Sequence, residues 1–155
     1  MDTAVQIKEI FSLIPNFWFW IVAGIFTLLI RMILTFFKAL AINNGEVDEP
    51  DLKNEIKWKN AGFKKVFRQS FFSNAKDIRI DDYWLPAIIG FSELIIFPLF
   101  MAKGWFPAIG AWIAIKTASS WGGWQKTRTA YNRFLLGNIL SLSASFVIYS
   151  FFIKA

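Results

Sequence analysis

The sequence predicts an all-α integral membrane protein: a bundle of four transmembrane helices with an amphipathic helix at the cytoplasmic surface. Three observations lead there. Apolar residues make up 55% of the 155 positions, with 18 Phe and 8 Trp, where soluble domains hold roughly 45–50%, and mean hydropathy is +0.43. The excess is gathered into blocks close to the length of about 20 helical residues that crosses hydrocarbon. The basic residues fall between those blocks and mostly on one side of them. The length fits a single domain, 1–155.

The first span covers about 15–38, opens on Trp18 and Trp20 and is apolar except for Arg31. Its apolar run continues from Phe17 through Arg31 to Phe37 with no small-residue cleavage site, so it reads as a span and not as a removable signal. The second, about 83–102, follows Tyr83 and Trp84 and contains Glu93. Its Pro86 sits in the first turn, where proline is tolerated, and Pro98 lies inside, where a kink is expected. The third, about 105–121, begins at Trp105 and contains Lys116. Only Lys103 and Gly104 separate it from the second, which forces an antiparallel hairpin. The fourth, about 133–153, is uncharged beyond Arg133 and Lys154 but includes Asn138 and several serines. Trp121, Trp124 and Tyr131 flank the 122–132 loop, and amphipathic rings favour the membrane interface.

The segment 39–82 is the one sizeable stretch outside the spans. Residues 43–55 are acidic and turn-rich, read as a solvated linker lacking the ligand order of an EF-hand. Residues 57–72 place Trp58, Phe63, Val66, Phe67, Ser70 and Phe71 on one helical face and Lys57, Lys59, Lys64, Lys65 and Arg68 on the other. Such a helix is expected to lie in the interface. There Trp58, Lys59, Lys64, Lys65 and Arg68 would meet anionic headgroups, each cation contributing up to about 1 kcal/mol. Docking onto a partner protein is the alternative. Residues 3–13 form a weaker amphipathic stretch.

With four spans, Lys8, Lys103 and Lys154 share one side. Lys53, Lys57, Lys59, Lys64, Lys65, Arg68, Lys76, Arg79, Lys126 and Arg128 share the other. Basic loops stay in the cytoplasm, so 39–82 and 122–132 are expected there and both termini outside. The bias toward Lys, Ile, Phe and Asn points to a bacterial inner (plasma) membrane. The net charge of +6 then reads as a topology signal and an attraction for anionic lipid, with no nucleic-acid partner expected.

Charges inside a span cost about 2.5–3.5 kcal/mol unless paired or hydrated. Glu93 lies about ten residues before the Lys103–Gly104 turn and Lys116 about twelve after it, which at 1.5 Å per residue is roughly 16 and 19 Å of depth. The hairpin therefore sets them level, and Arg31 and Asn138 are placed to join them. One reading is an ion pair that fixes helix register. A second is a polar site favouring an anion, since two cations outnumber one carboxylate; a third is a proton relay. Two rows of small residues, Gly110–Ala114–Ala118 and Gly137–Ser141–Ser145, permit close helix approach within one chain or between copies.

The chain has no Cys and no His, which excludes disulfides, thiol chemistry, imidazole metal sites and His-dependent triads. No cofactor or metal is expected, and no phosphate-binding loop or nucleophile elbow is present. The stretch WGGWQKTRTAYNRFLLGN looks like a motif but is tied to no family. The first expectation is a non-enzymatic structural or accessory subunit that self-associates or joins a membrane complex. The second is a small oligomeric channel or carrier with an anion path, and the third an enzyme acting on a lipid or lipophilic substrate with Glu93 as base. A water-filled cavity at Glu93 favours the second, a lateral opening there the third, and a sealed pair the first.

Overall fold

The computed structural model describes residues 17–44, 62–72, 85–124 and 128–154. They form five α-helices with no strand among the described residues: α1 Phe17–Asn43, α2 Phe63–Phe72, α3 Leu85–Ala102, α4 Phe106–Trp124 and α5 Arg128–Phe152. Trp58 and Lys59, the 3–13 stretch and nearly all of the 43–55 linker lie outside the described residues. The basic amphipathic helix is described over its last ten residues, Phe63–Phe72.

Three helix ends differ from expectation. α4 continues to Trp124, past the expected end near 121 and into the expected 122–132 loop. α1 runs beyond Lys38 because Ala39–Ile42 extends the apolar run. It closes where the Asn44 amide donates to the carbonyls of Leu40 (3.0 Å) and Ala41 (3.1 Å). α5 begins at Arg128, five residues before Arg133. α3 is continuous through Pro98, which is fully buried and cannot donate to the Leu94 carbonyl.

The α3–α4 turn has a local cause. The Trp105 amide donates to Phe100 O at 2.8 Å and the Gly104 amide to Met101 O at 3.1 Å. This six-to-one and five-to-two pair is a Schellman ending, which needs a left-handed residue. Gly104 supplies it at φ 69°. The apolar contact that accompanies such an ending is also present, with the Phe100 and Trp105 rings 5.9 Å apart. Pro107 then occupies the first turn of α4, where its missing amide costs nothing.

α1, α3 and α5 pack mutually, with α3 and α5 sharing the largest interface; α4 leans on α3 and α5, and α2 on α1. The first half of α1 meets the second halves of α3 and α5 in a cluster of Phe19, Ala23, Leu94, Ala144 and Ile148. α1 is thus antiparallel to both, and Phe19 meets Phe152 edge-on at 6.2 Å. α2 runs back along α1. Its Phe63, Phe67 and Phe71 stack at four-residue spacing with centroids 6.2 and 6.0 Å apart, Phe63 meets Phe36 at 5.5 Å, and Val66 is fully buried. Much of the apolar face expected to meet a bilayer surface is therefore turned onto α1, while Lys64, Lys65 and Arg68 stay exposed.

The interior mixes large apolar side chains, among them Phe19, Leu94, Phe97 and Ile148, with small and polar ones, Ala23, Ala39, Ala144, Ser145, Thr35, Glu93, Asn138 and Ser141, while Leu28, Ile115, Ile139, Phe146 and Phe151 face outward. Hydroxyls outside the core close on their own helices: Thr27 donates to Ala23 O (2.8 Å), Thr117 to Ile113 O (2.7 Å) and Ser150 to Phe146 O (2.8 Å). The two small-residue rows diverge. Gly137, Ser141 and Ser145 sit between α5 and its neighbours, whereas Gly110, Ala114 and Ala118 are exposed. Ser145 Oγ is buried with no hydrogen-bond partner among the described residues. Ser145→Ala is expected to leave stability unchanged or raise it by up to about 1 kcal/mol, read as a thermal shift; a clear loss means the hydroxyl is bonded.

Two helices are long and apolar enough to cross a membrane, Phe17–Asn43 and Tyr131–Phe152, with only 17% and 28% of their most apolar windows buried. The apolar run of α3, Pro86–Ala102, is about 26 Å long at 1.5 Å per residue, short of about 30 Å of hydrocarbon. α4 has 19 residues but carries Lys116, Thr117, Ser119 and Ser120 toward its end.

Candidate functional site: a buried ion pair beneath a basic cavity

Glu93 faces inward from the middle of α3 and is 3% exposed. Lys116 reaches it from α4, with Nζ 2.6 Å from Oε1. The same ammonium donates to Asn138 Oδ1 of α5 at 3.0 Å and lies 5.7 Å from the centroid of the Phe134 ring. The Trp112 indole N–H donates to Glu93 Oε1 at 2.9 Å. One carboxylate oxygen thus accepts from an ammonium and an indole, and three helices are tied at one depth. Because lysine only donates, the bond to Asn138 must use its carbonyl oxygen. That leaves the Asn138 NH₂ buried with no acceptor among the described residues.

Of the four polar residues singled out in the sequence, the structure brings Glu93, Lys116 and Asn138 together. Arg31 is placed elsewhere: its guanidinium donates to the Phe71 carbonyl at 3.0 Å and lies 5.5 Å from that ring's centroid, joining α1 to the end of α2. Trp112 is also a member of the cluster. Its signal was present, since Trp112 precedes Lys116 by four residues and so shares its helical face.

Lys116 is the exposed end of the pair, with 25% of its side chain accessible against 2% for Glu93. The pair joins α3 to α4, and the arrangement can hold those helices in register.

A separate cavity of about 540 Å³ opens toward the α2 end of the bundle, lined by the second half of α1, the first turns of α3, part of α5 and Ser70 of α2. Arg31, Lys38 and Arg133 line it; Glu93, Lys116 and Asn138 do not.

Fold and site together define a small helical bundle with an outward apolar surface and an internal ion pair. The chain matches no family model, no curated protein and no solved structure.

Proposed function

We propose that this chain is a small polytopic membrane protein that crosses the bilayer four times and acts as a structural or accessory subunit, without catalysis of its own. The observation that carries the reading is the Glu93–Lys116 pair, joined by Trp112 and Asn138, which ties α3, α4 and α5 at one depth. A group whose bonding is met inside the bundle at 3% exposure is spent on architecture. Support for the membrane comes from the many large apolar residues that face outward, together with small and polar residues at the helix contacts, which suit a lipid solvent. A water-soluble protein would also be poorly served by outward apolar faces extending along α1 and α5. α3 and α4 are read as the middle spans because their Schellman turn returns the chain directly and Lys116, their shared charge problem, is neutralised by Glu93. The outward row Gly110–Ala114–Ala118 supports self-association or a place in a larger membrane complex.

Sidedness follows from charge. α2, with Lys64, Lys65 and Arg68 exposed, lies in the cytoplasm, and the Lys103–Gly104 turn lies outside. The absence of native cysteine makes this simple to measure. Lys64→Cys is expected to react with an impermeant maleimide only after the membrane is opened, and Lys103→Cys in intact cells or spheroplasts. Labelling of both from the same side rejects the four-span topology.

A carrier is the second reading, favoured by the basic cavity at the α2 end. Reconstituted liposomes separate the two: the structural reading expects no chloride or phosphate flux above protein-free vesicles, and a reproducible flux above that level rejects it.

A further inference from the structure

We infer that the outward face of α2 is a contact surface for the headgroups of anionic phospholipids in the cytoplasmic leaflet, with Phe72 set at the edge of the hydrocarbon. At 3.6 residues per turn, Lys64, Lys65, Arg68 and Phe72 fall within about 100° of one another around the helix, and all four are exposed. The other face is docked: Val66 is fully buried and Phe63 meets Phe36 of α1. α2 carries no carboxylate, and Lys64, Lys65 and Arg68 form no ion pair with another described residue. Because the phenylalanines that an interfacial helix would insert are turned onto α1, the contact left to α2 is made by its cations.

The order of residues along this face favours a bilayer over an acidic protein. α2 runs antiparallel to α1, and its last turn is held there by the bond from Arg31 to the Phe71 carbonyl at 3.0 Å. Phe63 lies beside Phe36, five residues farther toward the end of α1 than Arg31. Phe72, 69% exposed, is therefore at the end of the face nearest the bundle. Arg68 stands about 6 Å farther out and Lys64 about 12 Å, at 1.5 Å per residue. An aromatic ring followed outward by cations repeats the order of a leaflet, where aromatic rings sit at the edge of the hydrocarbon and a polar layer of roughly 5–8 Å lies beyond it. Long flexible stems let the outer lysines reach back to the phosphates. A protein partner would not call for that gradation. Contact made by charge alone weakens as salt screens it. The inference rests on the four-span reading and its sidedness.

The test uses the full chain in phosphatidylcholine nanodiscs with spin-labelled phosphatidylglycerol or phosphatidylcholine as the probe. Electron paramagnetic resonance reads the fraction of probe held against the protein. Phosphatidylglycerol is expected to be preferred about fivefold. Lys64→Gln/Lys65→Gln/Arg68→Gln should bring the preference below about twofold, while Lys154→Gln, beyond the far end of α5, leaves it unchanged. About 1 M sodium chloride, where the Debye length is about 3 Å, should do to the wild type what the triple variant does. Depth is read on the same chain, which has no native cysteine. A nitroxide on Phe72→Cys should be relaxed more by oxygen than by a water-soluble nickel chelate, and one on Lys65→Cys the reverse. If the triple variant melts early, the salt series and the two depth labels carry the test. A preference unchanged in the triple variant or in high salt overturns the inference, as does free access of nickel to the label at position 72. Lys64 and Lys65 open to an amine reagent in nanodiscs but closed in native membranes would assign the face to a protein and overturn it as well. The labelling of Lys64→Cys and Lys103→Cys judges the four-span reading separately, so a chain that passes it and shows no phosphatidylglycerol preference loses this inference alone.

Discussion

Glu93→Gln is expected to lower the thermal midpoint of the bundle, with a loss of about 3–4 kcal/mol. Removing one partner of a buried ion pair costs about 3–5 kcal/mol because the other charge is left uncompensated. Here the stranded group is Lys116, whose side chain is 25% accessible and can move part of its ammonium toward water, which places the loss toward the lower half of that range. Glutamine keeps an acceptor for the Trp112 indole, so the loss reports charge more than packing. Lys116→Met strands the carboxylate instead, and at 3% exposure Glu93 has no route to solvent, so this variant should be the worse of the two. The double variant Glu93→Gln/Lys116→Met is expected to recover most of the loss, because replacing a buried pair by groups of similar volume is often near neutral. Trp112→Phe removes one hydrogen bond and should cost about 1–2 kcal/mol. A Glu93→Gln protein that melts with the wild type ends the reading of this cluster as the lock of the bundle.

The same cluster shows what the sequence could and could not disclose. Depth is readable: a fixed rise per residue and a two-residue turn place Glu93 and Lys116 level, and their Nζ–Oε1 distance is 2.6 Å. The hairpin is readable too, because Gly104 followed by an aromatic residue is the composition of its helix ending. Azimuth is not readable. Which way Arg31 points depends on where α2 docks, and α2 is amphipathic for a bilayer surface and for α1 alike, since stacked phenylalanines satisfy either. For that reason the depth of Arg31 in the sequence allows it to join the ion pair, whereas in the fold it bonds the Phe71 carbonyl. The basic cavity was hidden for the same cause. Arg31, Lys38 and Arg133 are separated by up to 102 positions, and each alone reads as a charge at the end of a span.

Azimuth also decides what the two small-residue rows do, and substitution at their glycines separates them. A Cβ at Gly137 meets Leu34 Cδ1 at 3.3 Å and Cδ2 at 3.9 Å, whereas at Gly110 it meets nothing within 4 Å. Gly137→Ala asks only for a shift of a few tenths of an ångström at the flexible end of Leu34, so it is expected to be near neutral. Gly137→Leu drives a full side chain into the α1–α5 contact. Overpacking costs about 1–3 kcal/mol, against which relief of glycine's poor helix propensity returns somewhat under 1 kcal/mol, so a net loss of about 1–2 kcal/mol is expected in thermal unfolding. Gly110→Leu has the propensity gain without the clash and should leave the melt of the isolated chain unchanged or slightly raised. Its effect belongs to assembly. If α4 carries the contact between copies, Gly110→Leu shifts the particle toward monomer in crosslinking or mass photometry while Gly137→Leu does not. Equal loss of stability from both substitutions would mean that Gly110 is packed within the chain, and an unchanged oligomer distribution in Gly110→Leu would remove α4 from the interface.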